Sequence, residues 1–289
     1  MGTKRASMPV RLPRTVFDRY ERLSLYNSPY PAHDQGCAID LYPATGTPSP
    51  VAGEVLETRT VRAPSKPYAV EHDYLILVAV EEPESAAGLV ARVLHVDPGV
   101  AAGDRIEVGD SLGEMVRSGY FAPWVGNHVH LGFRPPDANL HRAGGSLPVA
   151  VDVDPEPLAW DGTGTVGDVG GTYALLDSPA HPAPGETWVG VAADATDGQG
   201  ALDGGLPHYE GGGLLGNGRE VPVSLLGSAV GTADGRTVEW SDLTVLANGR
   251  PITGLSLFLA REAFGAKLIC PDETFEVGEE VQVRITPRG

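Results

Sequence analysis

Glycine and proline interrupt this chain so often that they limit which regular elements can form. The sequence has 38 glycines and 25 prolines among 289 residues, spread throughout rather than gathered in one segment. Both residues destabilise helix interiors, so long helices are unfavourable. Between them lie short runs rich in Val, Leu and Ile, such as 73–80 and 89–96. This pattern predicts an all-β protein built from short strands and tight turns.

The apolar runs fall into two groups, which predicts two domains. Residues 1–30 form a basic, proline-containing lead-in, within which 15–25 fits either a short helix or an edge strand. A first domain is expected at 31–155, because the stretch 154–171 is rich in Gly and Asp and poor in apolar residues. A second domain at 156–289 is expected to be a β-sandwich or a small barrel.

The charge balance argues against one broad class of partner. The formal net charge is −17, whereas nucleic-acid binding needs basic stripes, so we expect no nucleic-acid partner. Of the 21 basic residues, only Lys4, Lys66 and Lys267 are lysines. Few lysines and many acidic residues suggest a salt-adapted or GC-rich source, in which a hydrated acidic surface keeps the protein in solution.

Cysteine usage and hydropathy bear on the compartment. Cys37 and Cys270 are too few for a disulfide framework, which favours a reducing compartment. No stretch approaches the roughly 20 apolar residues that a membrane span needs. The basic N-terminus is not followed by the apolar run of a secretory signal. We therefore expect a cytoplasmic protein without a membrane span, and the sequence leaves its oligomeric state open.

The segment 127–133, Asn-His-Val-His-Leu-Gly-Phe, reads as a strand with period-two alternation. His128 and His130 then share one face, while Val129 and Leu131 point to the other. Two such imidazoles can simply be hydrogen-bonded surface groups. Alternatively, one is a metal ligand and the other lies beside an open coordination position.

The first predicted domain contains further groups that could complete such a site. No helical H-E-x-x-H motif is present, so the ligands would have to come from separate strands and loops. Zinc prefers imidazole, carboxylate and thiolate ligands, and a catalytic site uses three of them plus water. The available side chains are His33, Cys37, Asp40, His72, His95, His128, His130 and His141.

Four segments, in order, resemble the LytM/lysostaphin-type zinc endopeptidases, the M23 class. The first, 33–40, begins with His and ends with Asp, and it is followed by the Gly-Thr-Pro segment 46–55. The glycine-punctuated segment 103–113 follows a strand that ends in His95, and 128–133 matches the family's H-x-H motif. The resemblance covers about residues 31–134.

The resemblance implies a barrel-sandwich domain (a duplicated hybrid motif) that binds Zn²⁺ and cleaves peptide bonds in bacterial cell-wall cross-links. It makes His33, Asp40 and His130 the metal ligands. It makes His95 and His128 the catalytic pair that handles protons. The sequence differs from the family in the spacer between His33 and Asp40, which has six residues instead of three. Cys37 lies in this spacer and is an alternative ligand.

Two other functions fit parts of the sequence. A non-catalytic binding or structural protein could retain the same β scaffold. Segment 103–113 also resembles biotinyl or lipoyl carrier domains, but no lysine lies on the tight hairpin that a carrier needs. Tyr120, Phe121 and Trp124, just before the H-x-H strand, are either core residues or a cleft wall. In the second domain we identify no catalytic motif, and its Gly-rich segment 203–213 is interpreted as a long turn.

Overall fold

The computed structural model describes residues 8–33, 35–196, 198–216 and 220–288. The protein is nearly all β, with 3% helix and 49% strand, as the sequence predicts. It divides into two compact units. Pro31–Ala122 and Gly126–Val153 belong to the first unit, with the N-terminal residues as far as Tyr20. Glu21–Tyr30, Pro123–Val125 and Asp154–Gly289 belong to the second.

None of the helices in the described residues is long and apolar enough to cross a membrane. The helices that are present are short 3-10 turns at Arg14–Arg19 and Glu84–Ala86.

Short strands build the first unit. In chain order, with β2 passing into the second unit after Tyr20, they are β1 (Val10–Leu12), β2 (Tyr20–Ser24), β3 (Ile39–Pro43), β4 (Ala52–Arg62), β5 (His72–Glu82), β6 (Val90–Leu94), β7 (Val96–Pro98), β8 (Arg105–Ile106), β9 (Gly113–Met115), β10 (Val129–Arg134) and β11 (Val149–Val151).

The main sheet of the first unit is antiparallel, with strand order β8–β4–β5–β6–β10–β3. Strand β10 is the predicted H-x-H strand, and it lies between β3 and β6. Its alternation is as predicted, because Val129, Leu131 and Phe133 are fully buried on one face. His130 points to the opposite face and stands directly across from Asp40 of β3. The apolar face therefore anchors the strand, and the other face carries polar groups.

The strands of the second unit follow in chain order. They are β12 (Glu156–Leu158), β13 (Thr163–Gly170), β14 (Tyr173–Leu176), β15 (Val189–Ala195), β16 (Gly198–Leu206), β17 (Gly211–Leu215), β18 (Val221–Leu225), β19 (Ser228–Asp234), β20 (Thr237–Trp240), β21 (Leu243–Ala247), β22 (Arg250–Ile252), β23 (Gly254–Leu257), β24 (Leu259–Ala260), β25 (Lys267–Ile269) and β26 (Glu280–Pro287).

Six of these strands close into an antiparallel barrel in the order β15–β16–β17–β20–β19–β18, with β18 pairing back to β15. Of the two folds expected for the second domain, the small barrel is the one present. Strand β16 also pairs with β23, which starts a second ladder through β25, β14, β13, β26 and β21 to β22. The interior is apolar, with Leu202, Leu214 and Val238 fully buried.

The expectation of a separate lead-in at residues 1–30 is wrong from residue 8 onwards. Phe17 and Tyr20 are buried, and the Tyr20 hydroxyl donates a hydrogen bond to the Pro48 carbonyl oxygen at 2.7 Å. Glu21–Tyr30 belongs to the second unit. Residues 15–25 hold both a short 3-10 turn and a strand in succession, since the turn runs directly into β2, but β2 is not the edge strand that was the second alternative. The segment thus contributes buried side chains to the fold.

Candidate metal centre

Three predicted ligands converge at the edge where β3 and β10 pair. His130 Nδ1 lies 2.8 Å from Asp40 Oδ1, because the two residues are directly opposite in register. His33 Nε2 approaches both, at 3.3 Å from His130 Nδ1 and 3.4 Å from Asp40 Oδ1. The backbone N–H of Gly36 donates to the His33 carbonyl oxygen, and this turn lies within the long spacer to Asp40.

These donor atoms suit a zinc ion in chemistry, and two of their three separations suit it in spacing. Ligand atoms about 2.0–2.2 Å from one tetrahedral zinc lie roughly 3.3–3.5 Å apart. Two of the three separations fall at that spacing, and the third is a hydrogen-bond length. Among the described residues, His33, Asp40 and His130 are the group of His, Cys, Asp and Glu side chains close enough to share an ion. Cys37 is not a member of that group.

Burial, neighbouring charges and hydrogen bonds together set the charge states of Asp40, His128 and His130. Burial would raise the pKa of Asp40, but the facing His128 and His33 and hydrogen bonds from His130 and His33 hold that pKa well below its usual range. Burial lowers the pKa values of His128 and His130 to about 4, against the opposing effect of Asp40. At neutral pH Asp40 is therefore ionised, and His128 and His130 are neutral imidazoles; these are the forms of the two side-chain types that bind metals.

The second histidine pair lies beside this group. The ring centroids of His95 and His128 are 5.2 Å apart, and His95 is 5.7 Å from His130. His128 Nδ1 donates to the Gly126 carbonyl oxygen at 2.9 Å, which fixes its hydrogen on that atom. His128 Nε2 is then an acceptor, 3.4 Å from Asp40 Oδ1.

One of the three aromatic residues singled out from the sequence packs against this pair. The Phe121 ring lies 4.4 Å from His128 and 4.6 Å from His95, centroid to centroid. The Tyr120 ring is farther from His95, at 6.4 Å, and its hydroxyl donates to the Arg62 carbonyl oxygen. Trp124 belongs to the second unit. Of the three, Phe121 is thus the residue whose ring packs against both histidines of the pair.

The two remaining histidines of the first unit lie outside the cluster. His72 is half exposed and 3.7 Å from the Glu71 carboxylate, and His141 is similarly exposed and 3.6 Å from Glu57. Both are therefore surface residues.

Sequence reasoning missed a buried residue that contacts His95, and a second buried residue that hydrogen-bonds to the first. Asp73, at the start of β5, is fully buried, and its Oδ2 lies 2.6 Å from His95 Nδ1. The Ser118 hydroxyl donates to the same oxygen at 2.6 Å. Burial opposes ionisation of Asp73, yet the hydrogen bond and charge of His95, with the Ser118 hydroxyl, lower its pKa. The sequence feature that could have revealed Asp73 is an aspartate at the start of a strongly apolar strand, β5.

An ionised carboxylate and two imidazoles, with a second pair of imidazoles beside them, define a candidate metal centre in an all-β domain. Residues 11–151 match the family model described as the Domain of unknown function (DUF8155) N-terminal domain. Residues 156–286 match the corresponding DUF8155 C-terminal domain. The chain therefore belongs to this two-domain family of unknown function. No curated protein matches it.

Proposed function

We propose that the protein is a zinc-dependent hydrolase of the endopeptidase type. The observation that carries the proposal is the convergence of His33 Nε2, Asp40 Oδ1 and His130 Nδ1 at separations of 2.8 to 3.4 Å. The M23 resemblance had selected these same three residues from sequence order alone. Their meeting at one point supports the resemblance independently of the motifs.

The proposed roles follow from the protonation of each side chain. His33, Asp40 and His130 hold the zinc, which when bound lowers the pKa of water and polarises a carbonyl group. His128 offers Nε2 as a proton acceptor, because its Nδ1 hydrogen is committed to Gly126. His95 is the second group that takes or returns a proton. Phe121 packs against both rings and limits access of bulk water.

The proposed substrate is a peptide or a molecule that contains one. Two cysteines, Cys37 and Cys270, are too few for a disulfide framework, and the proposal takes the compartment to be a reducing one such as the cytoplasm. A cytoplasmic enzyme has no access to cell-wall cross-links, so the M23 substrate is not carried over. The chemistry shared with that class is hydrolysis of an amide bond.

Elemental analysis tests the metal part of the proposal. The full chain, purified without chelators and supplied with zinc, should hold about one ion per molecule. His130→Ala should reduce this towards zero, because two ligands hold zinc far less tightly than three. His141→Ala is the matched control, since it removes a half-exposed imidazole outside the cluster and should leave the zinc content unchanged. A wild-type protein that takes up no zinc would refute the proposal.

Turnover of a peptide library tests the hydrolase part. His128→Ala should retain zinc and lose roughly 100-fold or more in kcat, because it removes a proton acceptor without removing a ligand. A zinc-loaded wild type that cleaves no peptide would instead favour the non-catalytic scaffold, since its metal site would be intact.

A further inference from the structure

His95 adopts a backbone conformation that an L-residue avoids. Its φ is 70°, and it lies between β6 and β7. The other described non-glycine residues with positive φ, Leu226 and Asn248, each precede a glycine between two paired strands. Such a conformation costs about 1–2 kcal/mol and persists only where the surroundings impose it. Something must therefore hold His95 in place.

The carboxylate of Asp73 contacts both the backbone and the side chain of His95. Asp73 Oδ1 accepts the backbone N–H of His95 at 3.1 Å, and Oδ2 lies 2.6 Å from the Nδ1 atom of the same residue. Two other donors fill the remaining positions, the Tyr74 N–H on Oδ1 at 2.7 Å and the Ser118 hydroxyl on Oδ2 at 2.6 Å. Three of these four contacts thus direct a hydrogen towards the carboxylate, and the fourth joins it to His95 Nδ1.

An ionised carboxylate can only accept hydrogen bonds, so His95 Nδ1 has to carry a hydrogen. In a neutral imidazole this leaves Nε2 as the acceptor atom. We propose that Asp73 is a positioning residue that fixes both the backbone and the Nδ1–H tautomer of His95, so that Nε2 is the atom that exchanges protons with the substrate. This inference rests on the proposed function for the reaction itself, while the tautomer can be measured without it.

Asp73→Asn is a sharp test because the oxygen of asparagine has a defined place. Two backbone N–H groups point at the Oδ1 position, so they should retain the amide oxygen there. The amide NH₂ then occupies the Oδ2 position and donates to His95 Nδ1. His95 is thereby forced into the opposite tautomer, with its hydrogen on Nε2 and no acceptor left for the reaction.

The primary measurement is a long-range ¹H–¹⁵N spectrum of the full chain labelled with ¹⁵N-histidine, recorded with and without added zinc, with His95 assigned from the spectrum of His95→Gln. The wild type should show His95 as the Nδ1–H tautomer, and Asp73→Asn should show the Nε2–H tautomer. The kcat of the variant should fall at least about 100-fold, as expected when a histidine base is held in the wrong tautomer. Its KM and zinc content should not change.

Asp203→Asn is a matched control in the second unit. Asp203 is also fully buried and accepts a serine hydroxyl, from Ser24, and two backbone N–H groups, from Leu25 and Tyr26. The same chemical change there should destabilise the fold similarly but leave the His95 tautomer and kcat unaltered. Ser118→Ala should also keep the Nδ1–H tautomer, because it leaves the carboxylate in place.

A wild-type spectrum with His95 hydrogen on Nε2 would overturn the inference without any variant, even if Asp73→Asn fails to fold. Retention of the Nδ1–H tautomer in a folded Asp73→Asn protein would overturn it as well. Failure of the proposed function is a separate result, because a wild type that binds no zinc or cleaves no peptide leaves the tautomer measurement intact.

Discussion

Buried polar side chains are distributed differently in the two units. In the first unit several of them gather around one point, where His33, Asp40, His95 and His128 are all nearly inaccessible. In the second unit Asp203 is fully buried too, but its partners are a serine hydroxyl and backbone N–H groups. Burying one polar group with its hydrogen-bond partners serves a fold, whereas burying several titratable groups against one another costs stability. The first unit is therefore where chemistry is expected.

The largest expected effect comes from truncating one core leucine in each unit. Leu131, on the apolar face of β10, and Leu214, in the barrel, are both fully buried. Leu131→Ala and Leu214→Ala should each lower the free energy of unfolding by about 2–5 kcal/mol, as measured by chemical denaturation. Only Leu131→Ala should also weaken zinc binding, because β10 carries His130. Equal loss of zinc affinity in both variants would erase the proposed distinction between the units.

Lowering the pH should destabilise the second unit through protonation of His208. Burial, reinforced by Lys267, lowers the pKa of His208 to about 4 despite a backbone hydrogen bond with Leu206. Because this pKa is below the unfolded value of about 6.5, the unfolded chain binds the proton first and stability falls as pH drops from about 6.5 towards 4. Between pH 7.5 and pH 5 the loss from this group is about 2 kcal/mol.

His208→Gln should remove that part of the pH dependence, measured as the difference in unfolding free energy between pH 7.5 and pH 5 for variant and wild type. His72→Gln is the control, since the His72 side chain is half exposed. An unchanged pH dependence in His208→Gln would contradict this prediction, because it would show that burial does not lower the pKa of His208.

The smallest expected effect concerns a turn. Asn248 and Gly249, both with positive φ, form the turn that connects β21 to β22. Gly249→Ala places a side chain at φ 76° and should cost about 1 kcal/mol in thermal denaturation. Ala174→Gly cannot serve as the matched control for this substitution, because Ala174 is buried in strand β14 and does not lie in a turn. A decrease of several kcal/mol in the free energy of unfolding would contradict this prediction, because it would mean that the turn contributes more to stability than the conformation of Gly249 alone.

Much of the candidate centre could be predicted from local patterns. Alternation along β10 assigned His130 to the polar face, and the order of short motifs paired it with Asp40 and His33. The contact of Asp73 with His95 could not be predicted in this way. It depends on the pairing of β5 with β6 and on the unusual φ of His95, and neither leaves a mark in a single sequence.

The limits on predicting the fold have the same origin. Short strands were evident from glycine and proline spacing, but closure of the barrel requires β18 to return to β15, which no local signal reports. The membership of Glu21–Tyr30 in the second unit could not be predicted, because Asp203, which accepts hydrogen bonds from this segment, is distant in sequence. Ser24 and Asp203 are separated by 179 positions, so only the folded chain relates them.

That separation also has a consequence in time. Ribosomes add about 5–20 residues per second, so roughly 9 to 36 s pass between the synthesis of Ser24 and that of Asp203, 179 positions later. During this interval the Ser24 hydroxyl and the Leu25 N–H lack the Asp203 carboxylate that accepts their hydrogen bonds in the folded protein. The early segment of the nascent chain must therefore wait, solvated or chaperone-bound, until most of the polypeptide has emerged.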